Sequence, residues 1–198
     1  MQAESLIQLI ILFAVIFDPL ASFAVFLAAS SKMKPKERRK TATYAILIAL
    51  GLSLAVLILG ETLLKIFSTN IDEFRVAGGI ILLLLGIRMA LGKSLTNLES
   101  VEGNSSKAVA ALIGTPLLTG PAAITAILVS MNDYGRVMTG LAVLTVLFAT
   151  GILFYQANRI NKFVGHTTIQ TMSTILGLIT LAWGVKFIAV GVKAILLI

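Results

Sequence analysis

One acid stands inside an apolar run: Asp18, in Phe17-Asp18-Pro19-Leu20-Ala21-Ser22. A second proline-bearing stretch, Thr115-Pro116-Leu117-Leu118-Thr119-Gly120-Pro121, interrupts a later apolar run. Proline cannot donate a backbone hydrogen bond and its ring clashes with the preceding turn, so each stretch is expected to break a helix. Asp is a favoured helix N-cap and proline fits the first helical position. Asp18-Pro19, Thr115-Pro116 and Gly120-Pro121 therefore each read as the start of a new half-helix. Such a start presents free N–H groups and the positive end of a dipole, which suits a carboxylate. The half-helix ending before it presents free carbonyls, which suit an ammonium. Two such breaks facing each other can hold a small zwitterion. The residues around them are small, and Ser22, Thr115, Thr119 and Thr125 offer hydroxyls. The expected substrate-binding set is Asp18, Pro19, Leu20, Ala21, Ser22, Thr115, Pro116, Thr119, Gly120, Pro121, Ala122, Ala123 and Thr125. Gly78 and Gly79 join it as a second reading, their first being close helix packing.

The depth of the breaks gives Asp18 its interest. It lies twelve residues past Leu6, roughly 18 Å along a helix, and Pro121 lies thirteen past Ala108, roughly 20 Å. Both positions fall near mid-bilayer. A carboxylate there costs about 2.5–3.5 kcal/mol on insertion scales, and intramembrane ionisable groups are functional by default. Asp18 is thus the candidate for a coupling ion, as proton carrier, or for an ammonium partner. The plainer alternative is an acid that caps a kink between prolines that serve packing alone. Glu61, Arg88 and Lys186 lie near span ends and are expected to snorkel. His166 reads as a loop residue and Trp183 as a packing residue.

Composition sets the class. Of 198 residues 58% are hydrophobic and 13% charged, against roughly 45–50% and about 25% in soluble domains. Mean hydropathy is +0.99. The chain reads as a single all-α membrane domain over residues 1–198. With no cysteine and one histidine, neither a metal site nor a cofactor is expected. The opening residues carry Glu4 and no Lys or Arg, so they read as a first span rather than a secretory signal.

A bilayer core needs about 20 apolar residues as helix. Six runs read as spans: Leu6–Ala29, Thr41–Gly60, Val76–Leu91, Ala108–Met131, Val137–Ala157 and Thr171–Val192, the third of them short and interrupted by Arg88. The first and fourth carry the breaks. Lys32 to Lys40 reads as a basic loop, Gly92–Lys107 as a polar linker and Asn158–His166 as a polar loop. Eleven of the 16 Lys and Arg fall in loops after the first, third and fifth spans. Basic loops stay in the cytoplasm, which puts both termini outside. The basic run is what topology demands, and no nucleic-acid partner is expected.

The two halves match at a nearly constant shift. Asp18-Pro19-Leu20 aligns with Thr115-Pro116-Leu117, and Gly79-x6-Gly86-Ile87-Arg88 with Gly177-x6-Gly184-Val185-Lys186. Repeat 1 covers 1–92, the linker 93–107 and repeat 2 108–198. Three spans per unit make the second unit enter from the opposite face. That is an inverted repeat, in which interrupted helices at matching positions mark a transporter's substrate site.

At these residues the chain resembles the MarC family of six-span membrane proteins, over essentially its whole length. The likeness rests on Asp18-Pro19 followed by Ser22, on Glu37-Arg38-Arg39, and on Arg75-Val76-Ala77-Gly78-Gly79. It rests most on Pro116-Leu117-Leu118-Thr119-Gly120-Pro121-Ala122-Ala123-Ile124-Thr125. The family's first motif is Asp/Asn-Pro-x-Gly-Asn, where this chain has Ala21 and Ser22. Its second is Gly-Pro-Gly-Ala-Ile, where this chain has Ala122. Both departures fill space beside the expected pocket. The archaeal SnatA-like members imply transport of glycine, alanine or similar small neutral amino acids, driven by a proton or ion gradient, in the cell membrane. The lipid bilayer is the other expected partner, and assembly into a homo-oligomer stays open. An exporter of another small metabolite is the alternative on the same architecture. A membrane-embedded enzyme would need a nucleophile–base or metal set at membrane depth, and none is apparent. A channel would need a pore-lining ring of charges, and one protomer shows none.

Overall fold

The computed structural model describes residues 2–31, 33–66, 68–92, 106–157 and 166–196. All regular structure among them is helical. The first run forms α1 (Gln2–Ile16) and α2 (Pro19–Ala29), parted at Phe17-Asp18. α3 (Pro35–Ile66) follows and is longer than the expected second span at both ends. Proline suits a first helical position, and the Glu37 carboxylate accepts from the Lys34 N–H at 3.2 Å. The basic run expected as a loop is therefore largely the first turns of α3. The Arg38 guanidinium reaches back to the Ser30 carbonyl at 2.8 and 3.2 Å, tying α3 to the end of α2.

α4 (Ile71–Ala90) starts ahead of the expected Val76 because a capping box fixes it. The Asn70 side chain accepts from the N–H groups of Asp72 and Glu73, and the Glu73 carboxylate accepts from the Asn70 N–H. These bonds satisfy donors that a helix start leaves free. The fourth run comprises α5 (Ser106–Leu112), a π-helical turn (Ile113–Leu118) and α6 (Pro121–Tyr134). α7 (Arg136–Tyr155) and α8 (His166–Ile195) complete the chain. His166 opens α8 instead of lying in a loop. Most of the expected linker and of the 158–166 loop lies outside the described residues.

Among the described residues, four helical stretches are long and apolar enough to cross a membrane: Glu4–Ala29, Pro35–Thr62, Arg136–Tyr155 and Thr171–Ile195. The other two expected spans miss that description for physical reasons. α4 carries Asp72, Glu73, Arg75 and Arg88, and the α5–α6 run is interrupted. The helices show an apolar exterior as well as an apolar interior. On α7, Ala142, Val143, Val146 and Leu147 are buried while Leu141, Leu144, Phe148 and Ile152 are exposed. A helix hydrophobic all round belongs in protein core or lipid. Phe26 of α2 stacks on Phe154 of α7 with ring centroids 4.8 Å apart.

The closest helix pair is α4 with α8, packed antiparallel along a seam of glycines. Gly79 packs against Gly184 and Ile188, Gly86 against Gly177 and Leu181, and Gly191 against Asp72 and Val76. A methyl carbon on Gly86 would lie 2.8 Å from the Gly177 carbonyl oxygen, and one on Gly184 would lie 2.9 Å from that of Gly79. Small residues at such seams let backbones approach, which drives helix association where lipid removes the hydrophobic incentive. Gly86→Ala should therefore destabilise the protein by about 1–3 kcal/mol, as overpacking against backbone does. Gly51→Ala, with nothing within 4 Å, should stay within about 0.5 kcal/mol. Melting of the two variants in detergent checks the contrast.

Candidate functional site

The first break is built on Asp18. Its backbone is left-handed, with φ 38° and ψ 70°, and its carboxylate accepts the Ala21 N–H at 3.1 Å. Asp tolerates this conformation better than most residues. Pro19, next in line, opens α2, and Asp18 is its N-cap. The other carboxylate oxygen accepts from the Ser173 hydroxyl of α8 at 2.7 Å. The acid is 2% exposed. It is thus both a cap within its own chain segment and a tie to a helix 155 residues away.

The second break takes more chain than the first. Thr115 is extended, with φ −146° and ψ 122°, as a residue before proline prefers. The expected half-helix from Pro116 is only a turn that ends at Leu118, and the helix proper restarts at Pro121 behind an extended Gly120. The break is therefore double, and Gly120 caps α6 with no side chain.

A hydroxyl reaches back to a carbonyl at each break, and at the second the Thr119 N–H bonds the same carbonyl at 3.2 Å. The Ser22 hydroxyl donates to the Phe17 carbonyl at 3.4 Å, and the Thr119 hydroxyl donates to the Gly114 carbonyl. Each hydroxyl sits five residues past its acceptor. Phe17 and Ser22 map onto Gly114 and Thr119 at the same shift of 97 that aligns the prolines. Thr125 donates in turn to the Pro121 carbonyl at 3.0 Å. The hydroxyls expected to face a ligand are, in three cases, engaged with their own backbone.

Both breaks open on one cavity of about 310 Å³, at the small end of the range typical of ligand sites. Asp18, Gly120, Pro121, Ala122 and Ala123 line it, with Ile16, Leu112 and Leu117 at its apolar wall. α4 closes the remaining side through Ile81, Leu84, Leu85 and Arg88. Of the other expected residues, Ser22, Thr119 and Thr125 are buried beside the breaks and Thr115 is exposed. Pro19, Leu20 and Ala21 form the first turn of α2. Gly78 lies against the Thr125 side chain and Gly79 in the α8 seam, so both act in helix contacts. Two residues were missed. Ser173 has no local signal, since only the fold brings it to Asp18. Arg88 has the sequence signature of a snorkelling end residue, and its place in the cavity wall follows from how α4 docks. Among the described residues, no three His, Asp or Glu side chains gather to hold a metal.

The profile of MarC family integral membrane proteins matches residues 3–196. The chain belongs to the MarC family. It is 31% identical over 190 residues to the UPF0056 membrane protein MJ1677 of Methanocaldococcus jannaschii, covering 92% of this chain and 93% of that one. It is 33% identical over 196 residues to the UPF0056 membrane protein YhcE of Escherichia coli K12, covering 93% and 89%. The UPF0056 inner membrane protein YhgN of the same strain is 25% identical over 193 residues, covering 96% and 97%. No solved structure matches. This MarC-family protein is accordingly an integral, multi-pass membrane protein.

The shared carbonyl arrangement carries a prediction. Ser22→Ala leaves the buried Phe17 carbonyl short of a donor, at a cost of about 1–3 kcal/mol. Thr119→Ala leaves the Gly114 carbonyl its Thr119 N–H donor at 3.2 Å and should cost less, about 0.5–1.5 kcal/mol. Ser31→Ala, at an exposed residue, should change little, and melting in detergent separates the three.

Proposed function

We propose that the protein is a secondary transporter of small neutral amino acids such as glycine and alanine in the cell membrane. One observation carries this reading: two helix breaks far apart in sequence line a single cavity, with an acid on one wall and an arginine on another. The Asp18 carboxylate suits the substrate ammonium. The α6 N-terminus behind Gly120 and the Arg88 guanidinium suit its carboxylate. Ala122 and Ala123 limit the side chain that fits. Asp18 also serves as the site of the coupling proton or ion.

The six-span inverted repeat belongs to the same reading. Its support is the exchange of partners in the glycine seam: Gly79 meets Gly184 and Gly86 meets Gly177, and a shift of 98 turns one contact into the other. A two-fold axis in the membrane plane produces that pattern. Alternating access would then rock one unit against the other around the cavity. With basic loops in the cytoplasm, both termini lie outside.

Reconstituted protein tests the proposal by uptake of labelled glycine. Saturable uptake is expected in the parent and should fall at least about tenfold in Ala123→Leu, which fills the cavity. Asp18→Asn keeps the left-handed backbone and should flatten the pH dependence of uptake. Uptake equal to that of empty vesicles would exclude amino acid transport, and an Asp18→Asn profile matching the parent at every pH would remove the proton role.

A further inference from the structure

A second, much smaller cavity of about 40 Å³ lies between α4, α6 and α8, away from the breaks. Arg75, Ser130, Asp133, Tyr134 and Lys186 are its polar lining, beside the rings of Trp183 and Phe187. It belongs to a different level of the bundle. Arg75 precedes Ile81, the first α4 residue of the large cavity, by about 9 Å of helix.

The chemistry of this cavity is unusual. Among the described residues, three buried side-chain polar atoms have no hydrogen-bond partner: Arg75 Nε, Ser130 Oγ and Ser53 Oγ. The first two belong to residues that line this one small space. Both are more than nine-tenths buried, Arg75 at 6% exposed and Ser130 at 1%. A buried donor left unmade costs about 1–3 kcal/mol, and more when charged, so two of them at one cavity call for an acceptor.

The lining says what kind. Arg75 Nε and Lys186 Nζ can only donate, and the Ser130 hydroxyl can donate. The one lining carboxylate, Asp133, is already held by Arg75 at 2.5 Å and by the Asn132 amide at 3.1 Å. Asp72 lies 3.6 Å from the other side of the guanidinium. Lys186 adds a second cation, with its ammonium 4.5 Å from the Trp183 ring centroid. With Asp133 already paired to Arg75, the two cations and the hydroxyls favour an anion over a metal ion as occupant. A cavity needs at least about 10–15 Å³ to hold a water, so a space of about 40 Å³ takes a small ion or water and no amino acid.

We propose that this cavity is a binding site for a monatomic halide of chloride size, held by Arg75 Nε, the Ser130 hydroxyl and the Lys186 ammonium. The site joins α4, α6 and α8 through one anion, and it stands apart from whatever the larger cavity carries.

Trp183 is the only tryptophan in the chain and lines the cavity, so its fluorescence reads the site directly. The full-length protein in detergent is titrated with bromide, a heavy-atom quencher, with gluconate holding ionic strength constant. The expected result is saturable quenching that chloride reverses. Ser130→Ala and Lys186→Gln should each weaken bromide by about tenfold, as loss of a hydrogen bond to a charged partner does. Ser130→Ala removes only a hydroxyl, and an unchanged melting temperature confirms that it folds. Quenching that rises linearly with bromide and ignores chloride would overturn the proposal and leave a water in the cavity. So would saturable quenching unaltered in both variants, because the halide would then sit elsewhere.

Discussion

A peptide group inside a bilayer has no water to fall back on. Each one that a broken helix releases must find a partner in the protein or line a polar space. The two breaks of this chain answer that constraint in a common way. A hydroxyl five residues downstream donates to a carbonyl ahead of the proline, Ser22 to Phe17 and Thr119 to Gly114, where the Thr119 N–H donates as well. The freed N–H groups are treated differently. At α2 the Asp18 carboxylate receives one of them. At α6 the cap is Gly120, which has no side chain to offer. The α6 start is therefore the more available anion-binding end, and it borders the cavity.

The glycine seam supplies the rigidity that such breaks lack. α4 and α8 approach until backbone meets backbone, so neither can rotate without steric conflict. This pair carries Arg88 on one wall of the large cavity and Ser173 against the acid. It also carries Arg75 and Lys186 at the small cavity. The interrupted helices α2 and α6 thus bring backbone chemistry, and the unbroken pair brings charged and polar side chains.

Much of this was legible in the residues. Proline acts on its own turn and glycine on its immediate neighbour, so the break at Asp18-Pro19 and the seam positions could be read from local chemistry. The composition that demands a membrane is likewise a property of the chain alone. What escaped depends on distance. No spacing rule joins Ser173 to Asp18 across 155 residues, and Arg88 looks like any span-end cation until α4 is docked. Helix ends were misjudged where side chains rescue them: Glu37 and Asn70 extend α3 and α4 beyond their apolar cores. The π-helical turn between Ile113 and Leu118 is the subtlest miss. Two closely spaced prolines announce a disturbance without saying how the chain accommodates it.

The twist of the backbone at Asp18 also limits what this position can become. A φ of 38° admits Gly, Asn and Asp with ease and penalises nearly everything else. Glutamate, though it bears the same charge, lacks the short reach that lets the acid cap Ala21. Among residues whose side chain can still cap α2, the repertoire open to evolution here is consequently a binary one, Asp or Asn. The site can keep its negative charge or surrender it to an amide of the same shape, and it has no gradual path by which to slide the carboxylate outward along a longer arm.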